Sequence, residues 1–193
     1  MLLRPVRTLA LLLAAALAPL GADDAAAWGM PDPKGQQSLE GLTVDLAGRF
    51  RFVGQVIPEQ IERLQSHPGN LLLLDVREKD EFAVAHIKGA EWLDPDPTAR
   101  QAVEQLGARV AGRTVVLYCS VGYRSSKMAD RVREALTSVG ARRVVNLSGG
   151  IFAWHNTGRP LVDSRGATVY VHPYDRKWGR YLDFDNLARM KVE

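Results

Sequence analysis

Cysteine is nearly absent from this chain: Cys119 is the only one in 193 residues, so no internal disulfide can staple the fold. Charge of one sign is equally scarce. A net charge of +3 comes without a dense Lys/Arg run and without aromatic residues interleaved with basic ones. That argues against a nucleic-acid surface, while a weak positive field suits small anions equally well. His155 and His172 have no cysteine or acidic pair at metal-ligand spacing, which argues against a metal site. Beyond residue 27 there is no internal repeat or low-complexity tract, and the N-terminal apolar run is short for a bilayer span. What is present, 46% hydrophobic and 24% charged residues, is ordinary globular composition with room for one domain and accessory segments.

The N-terminus has the layout of a secretory signal peptide. Arg4 and Arg7 precede an apolar stretch from Leu9 to about Leu20, and Ala25-Ala26-Ala27 then supplies a small-residue cleavage pattern before Trp28. Cleavage after Ala22 fits as well. Removing residues 1–27 takes away Arg4 and Arg7 together with Asp23 and Asp24, so the net charge stays at +3. With no cysteine in the segment, a lipid anchor on an N-terminal cysteine is excluded. The expectation is a periplasmic or secreted protein with no stable membrane insertion after cleavage. In that setting a lone thiol is either buried and inert or kept for chemistry.

Residues 28–52, with Gly29, Pro31, Pro33 and Gly35, read as an irregular lead-in. Strands and helices then alternate. Val53–Ile57 reads as a short strand, and Pro58 opens a helix running to Leu64. Leu71–Val76 is apolar except for Asp75, as a strand buried on both faces should be. A helix over Lys79–Ala85, a short strand over Ala90–Leu93 and a helix over Thr98–Leu106 follow. Thr114–Tyr118 is a strongly β-branched strand. Met128, Val132, Leu136 and Val139 then mark a helix from Ser125 to Val139, with Gly140 just past its end. Arg143–Leu147 is a strand and Ile151–Asn156 a helix. The pattern predicts an α/β fold, a mostly parallel sheet flanked by helices on both faces, with ligands at the carboxyl ends of the strands. Asp75-Val76-Arg77 and Cys119 both fall at such ends. In the polar and aromatic segment 163–193, Val169–Tyr174 reads as an edge strand, since Pro173 does not suit a central one.

The segment Cys119-Ser120-Val121-Gly122-Tyr123-Arg124 places a thiol after a strand, then a short loop, with a helix expected after Arg124. Loop N–H groups can form a nest above the cysteine, and the helix aims its positive end at the same point; both favour thiolate over thiol. Gly122 permits the sharp backbone path, and Arg124 adds a positive charge. Taken alone, the segment fits an inert buried cysteine equally well.

Four stretches in order make the pattern more specific. The loop Cys119 to Arg124 resembles the C-x-x-G-x-R active-site loop of the rhodanese family. Leu74-Asp75-Val76-Arg77-Glu78 is similar to its D-V-R-E segment, Ala85–Ala90 to its G-H-I-P-G-A turn, and Leu147–Trp154 to its terminal G-G-x-x-A-W signature. Ala85 and Lys88 depart from that turn, standing where the family has glycine and proline. The resemblance covers about residues 53–162 and implies a rhodanese-like domain, leaving 163–193 as a C-terminal extension. It also implies sulfur transfer: Cys119 takes a sulfane sulfur from a small sulfur-containing anion such as thiosulfate, or from a persulfide donor. A thiol or cyanide acceptor then removes it. The backbone from Ser120 through Val121, Gly122 and Tyr123 to Arg124 would hold the donor, and no metal or organic cofactor is implied. Related phosphatases carry C-x₅-R, whereas Cys119 and Arg124 enclose four residues, which favours sulfur over phosphate.

Asp75 is expected to brace loop N–H groups or a neighbouring arginine rather than act as an acid. Arg77 either attracts the anion or holds Asp75. His86 reads as a hydrogen-bonded core residue, and Phe152 and Trp154 as packing. The competing function is a non-catalytic rhodanese-like binding or regulatory module that uses residues 163–193 to dock on another protein.

Overall fold

The structure, a computed structural model, describes residues 37–192. The expected signal peptide and residues 28–36 lie outside the described residues.

Five parallel strands form the central sheet: β1 (Gly54–Val56), β2 (Leu71–Asp75), β4 (Glu91–Trp92), β5 (Thr114–Tyr118) and β6 (Arg143–Leu147), in the order β1-β6-β5-β2-β4. Side chains alternate between its faces with the period of two that a pleated strand imposes. Leu73, Val116, Tyr118, Val145 and Leu147 enter one core, and Leu72, Leu74, Val115, Leu117 and Val144 enter the other. Both faces are dry, hence the nearly continuous apolar runs. The second core is closed by α4 (Ala99–Leu106) and α5 (Tyr123–Ser138), which contribute Ala102, Leu106, Met128, Val132 and Leu136. The first is closed by α1 (Leu39–Arg49), α2 (Pro58–Gln65), α3 (Lys79–Val84), α6 (Gly150–Asn156) and the C-terminal segment.

The lead-in is not irregular throughout, because residues 39–49 form α1. Ser38 caps it by accepting the Gly41 N–H at 3.1 Å, and Leu42 and Leu46 lie on its buried face. The prolines and glycines that mark an irregular path all precede it.

The C-terminal segment also departs from expectation. Val169–Tyr174 forms no strand and makes only an isolated bridge between Val171 and Ala188. The added strands are β7 (Leu161–Asp163) and β8 (Gly166–Thr168), joined by a tight turn in which Asp163 accepts the Arg165 N–H. They extend β3 (His86–Ile87) into a small antiparallel sheet. A short helix α7 (Arg176–Gly179) then buries Trp178. No helix among the described residues is long and apolar enough to cross a membrane.

Candidate active site

Strands β2 and β5 are adjacent and in register, with Asp75 opposite Tyr118. Their carboxyl ends therefore deliver Asp75-Val76-Arg77 and Cys119 side by side, and the Val76 N–H donates to the Tyr118 carbonyl at 3.0 Å. After Cys119 the chain turns through Gly122 in the left-handed region, at φ 97°, and α5 begins at Tyr123. The helix starts two residues earlier than its apolar spacing indicates, so Arg124 belongs to its first turn.

The Gly122 N–H donates to Cys119 Sγ at 3.2 Å. On the other side of the loop, the N–H groups of Ile151 and Phe152 in α6 donate to the carbonyls of Cys119 and Ser120 at 2.8 and 3.0 Å. In a trans peptide the N–H points away from its own carbonyl, so the amides of Ser120 and Val121 face away from α6. This contact explains the second glycine of the pair. A Cβ on Gly150 would lie 2.3 Å from the Cys119 carbonyl oxygen, and only glycine permits that approach.

Arg124 does not stand free at the loop. Its guanidinium makes a two-pronged ion pair with Glu81, Nη1 to Oε2 at 2.8 Å and Nη2 to Oε1 at 2.9 Å, and Nη2 also donates to Ser120 Oγ at 3.0 Å. The Ser120 hydroxyl in turn donates to Glu81 Oε1 at 2.9 Å. Glu81 is 2% exposed in α3, where it also accepts the Glu78 N–H. Burial would push its carboxyl up, but the charge and hydrogen bonds of Arg124, with help from Arg77, hold it at about 2. The Arg124 guanidinium, opposed by burial, is held above its ordinary range by the same carboxylate.

A second buried pair backs the first. Asp75 accepts Arg77 Nε at 2.9 Å, Nη2 at 2.6 Å and the Arg77 backbone N–H at 3.1 Å, and Arg77 Nη2 also reaches the Ala85 carbonyl. Burial and the Asp75 charge push the Tyr118 hydroxyl well up, and its oxygen accepts the Ile87 N–H. Two carboxylates and two guanidiniums cancel, so the charge available to an anion at Cys119 comes from loop amides and the start of α5. Cys119 itself is 1% exposed.

Thus Ser120 and Arg124 are joined through Glu81, Asp75 and Arg77 form a separate brace, and Val121 and Tyr123 turn into the first core. Glu81 was missed by sequence reasoning; its one signal is an acidic residue three positions after Glu78, which reads as a helix cap. His86 stacks on Phe82 with ring centroids 3.9 Å apart, its Nδ1 3.1 Å from the Phe82 carbonyl, and Trp154 is buried in the first core.

The site is thus a thiol at a strand end, beneath a tight loop and a helix start. The family model for the rhodanese-like domain matches residues 58–157, just over half of the chain, and the chain belongs to that family. It is 32% identical over 116 residues to an uncharacterized protein of Synechocystis, covering 60% of each. It is 30% identical over 117 residues to a sulfurtransferase of Allochromatium vinosum, covering 60% of this chain and 100% of that one. Among solved structures, a thiosulfate sulfurtransferase of Pseudomonas aeruginosa superposes with a TM-score of 0.48 at 19% identity, covering 65% of this chain and 23% of that one.

Proposed function

We propose that the protein is a sulfurtransferase that carries sulfane sulfur on Cys119. The observation that carries this reading is the loop itself: four residues between Cys119 and Arg124, with the Gly122 N–H on the sulfur. In the first half-reaction the Cys119 thiolate attacks the outer sulfur of thiosulfate. The Sγ–S bond forms as the S–S bond of the donor breaks, and sulfite leaves with the electron pair. In the second, a thiolate or cyanide attacks the outer sulfur of the persulfide, and Cys119 leaves as thiolate. The residues divide the work. Amides of the loop stabilise the anionic donor and the persulfide, while Glu81 and Arg124 keep the loop shaped for both. Asp75 and Arg77 act as positioning residues beneath it.

Incubated with thiosulfate, the protein is expected to gain about 32 Da on Cys119, one sulfur atom, and to lose it on adding cyanide or a thiol. Equal turnover by wild type and Cys119→Ala would sink the reading. We further propose that the chemistry takes place outside the cytoplasm, supported by Arg4, Arg7 and the apolar run that follows. N-terminal sequencing of protein recovered from the periplasm or medium should begin near Asp23 or Trp28; protein found only in the cytoplasm with an intact Met1 would contradict export.

The burial of Cys119 favours a second reading, a rhodanese-like module that binds a partner without turnover. Failure to load sulfur from thiosulfate and from a low-molecular-weight persulfide would favour it.

A further inference from the structure

A thiol that must be reached by a donor and then by an acceptor is 1% exposed, and Ser120, Val121 and Arg124 beside it are 3% or less. Two segments outside the family match meet this loop: Arg49 and Phe50 at the end of α1 lie against the Tyr123 ring, and the C-terminal segment lies against Arg124. The ring of Tyr174 lies against the Arg124 guanidinium, 4.8 Å from its Cζ to the centroid.

The turn carrying this ring is strained at one residue and firmly anchored on both sides. Tyr174, at φ 67°, is the only non-glycine residue with positive φ among the described residues. Its N–H donates to His172 Nδ1 at 3.0 Å, which holds the turn. Before it, Val171 is tied to Leu187 and Arg189 through backbone hydrogen bonds. After it, Trp178 is buried, and Asn156 of α6 clasps the chain by donating to the Tyr181 carbonyl and accepting the Asp183 N–H. Anchors flanking one strained residue are what a small movable turn requires, because strain concentrates at lids and clamps.

We infer that the His172–Tyr174 turn is a gate over the sulfur site, and that Tyr174 is a specificity-determining residue whose ring sets which reagents reach Cys119. The inference rests on the sulfur-transfer reading for its purpose, but not for its test. In the resting protein the turn closes the loop; brief opening admits small reagents more readily than bulky ones.

The test is the rate at which Cys119 is alkylated in the full chain, using iodoacetamide as the small probe and a polymer-linked maleimide as the bulky one. Tyr174→Gly removes the ring and suits a positive φ. It is expected to raise labelling at least about tenfold, more for the bulky probe, since a closed gate leaves the open state at most on the order of 10% populated. An unchanged rate in Tyr174→Gly overturns the gate. A second measurement needs no variant. In wild type, labelling by iodoacetamide should be nearly flat across low urea, because opening one turn exposes little surface. A slope equal to that of global unfolding overturns the gate. A gate with no sulfur loading would sink the transfer reading alone, and sulfur loading with unaltered labelling would sink the gate alone.

Discussion

Glu81 and Arg124 place opposite charges in the interior, where each is tolerable only because of the other. Glu81→Gln would leave the guanidinium buried without its counter-charge. The expected cost is about 3–5 kcal/mol of stability, read from urea unfolding, together with slower sulfur loading as the Ser120–Arg124 link loosens. At Gly150 the constraint is steric. Gly150→Ala puts a methyl group 2.3 Å from the Cys119 carbonyl oxygen, at a φ of +57° that disfavours it further. We expect a loss of about 1–3 kcal/mol, a fall in turnover and a rise in donor KM, since the loop that shifts carries both the cysteine and the amides that hold the donor. Neither role is visible locally. Glycine at 149 and 150 signals a turn, but the carbonyls it must accommodate lie about thirty residues earlier in the chain.

Among elements, the central strands and the main helices follow directly from apolar periodicity: Leu71–Asp75, Thr114–Tyr118 and the face of α5 all fall where hydrophobic spacing puts them. The errors cluster at the ends of the chain. Helix α1 has a mixed sequence whose core-facing residues, Leu42 and Leu46, find their partners only in distant segments of the first core. Its start is nonetheless set locally, so Ser38→Ala should cost about 1 kcal/mol, lowering the urea midpoint without altering the m-value. The start of α5 differed for another reason. Gly122 in the left-handed region ends the loop sharply, which lets Tyr123 and Arg124 enter the helix although neither follows its later apolar spacing. Val169–Tyr174 alternates like a strand, yet Pro173 and the positive φ of Tyr174 break it into a turn.

For the whole molecule, two buried groups predict how stability depends on pH. Burial depresses His172 below its ordinary value of 6.5, despite the nearby Glu81. The unfolded chain therefore takes up this proton first, and stability falls as pH drops below 6.5. Glu81, held at about 2 against 4.5 when unfolded, contributes stability that is complete above 4.5 and lost progressively toward 2. Urea midpoints between pH 8 and 3 should thus decline in two stages, and His172→Asn should remove the first while leaving the second. Because His172 also accepts the Tyr174 N–H, the same acidification is expected to loosen the C-terminal turn.

The order of the central strands and the helices between them, the placement of Asp75, Arg77 and Cys119 at strand ends, and the length of the Cys119–Arg124 loop were readable from the chain alone. Each depends on side-chain period or on neighbours within a few residues, where local sterics and burial leave few choices. The tertiary structure decided what those residues face. It turned Arg124 onto Glu81, brought the amides of α6 against the carbonyls of the loop, and laid Tyr174 beside them. Such contacts join segments separated by tens of residues, and they follow from how layers pack, which no local pattern encodes.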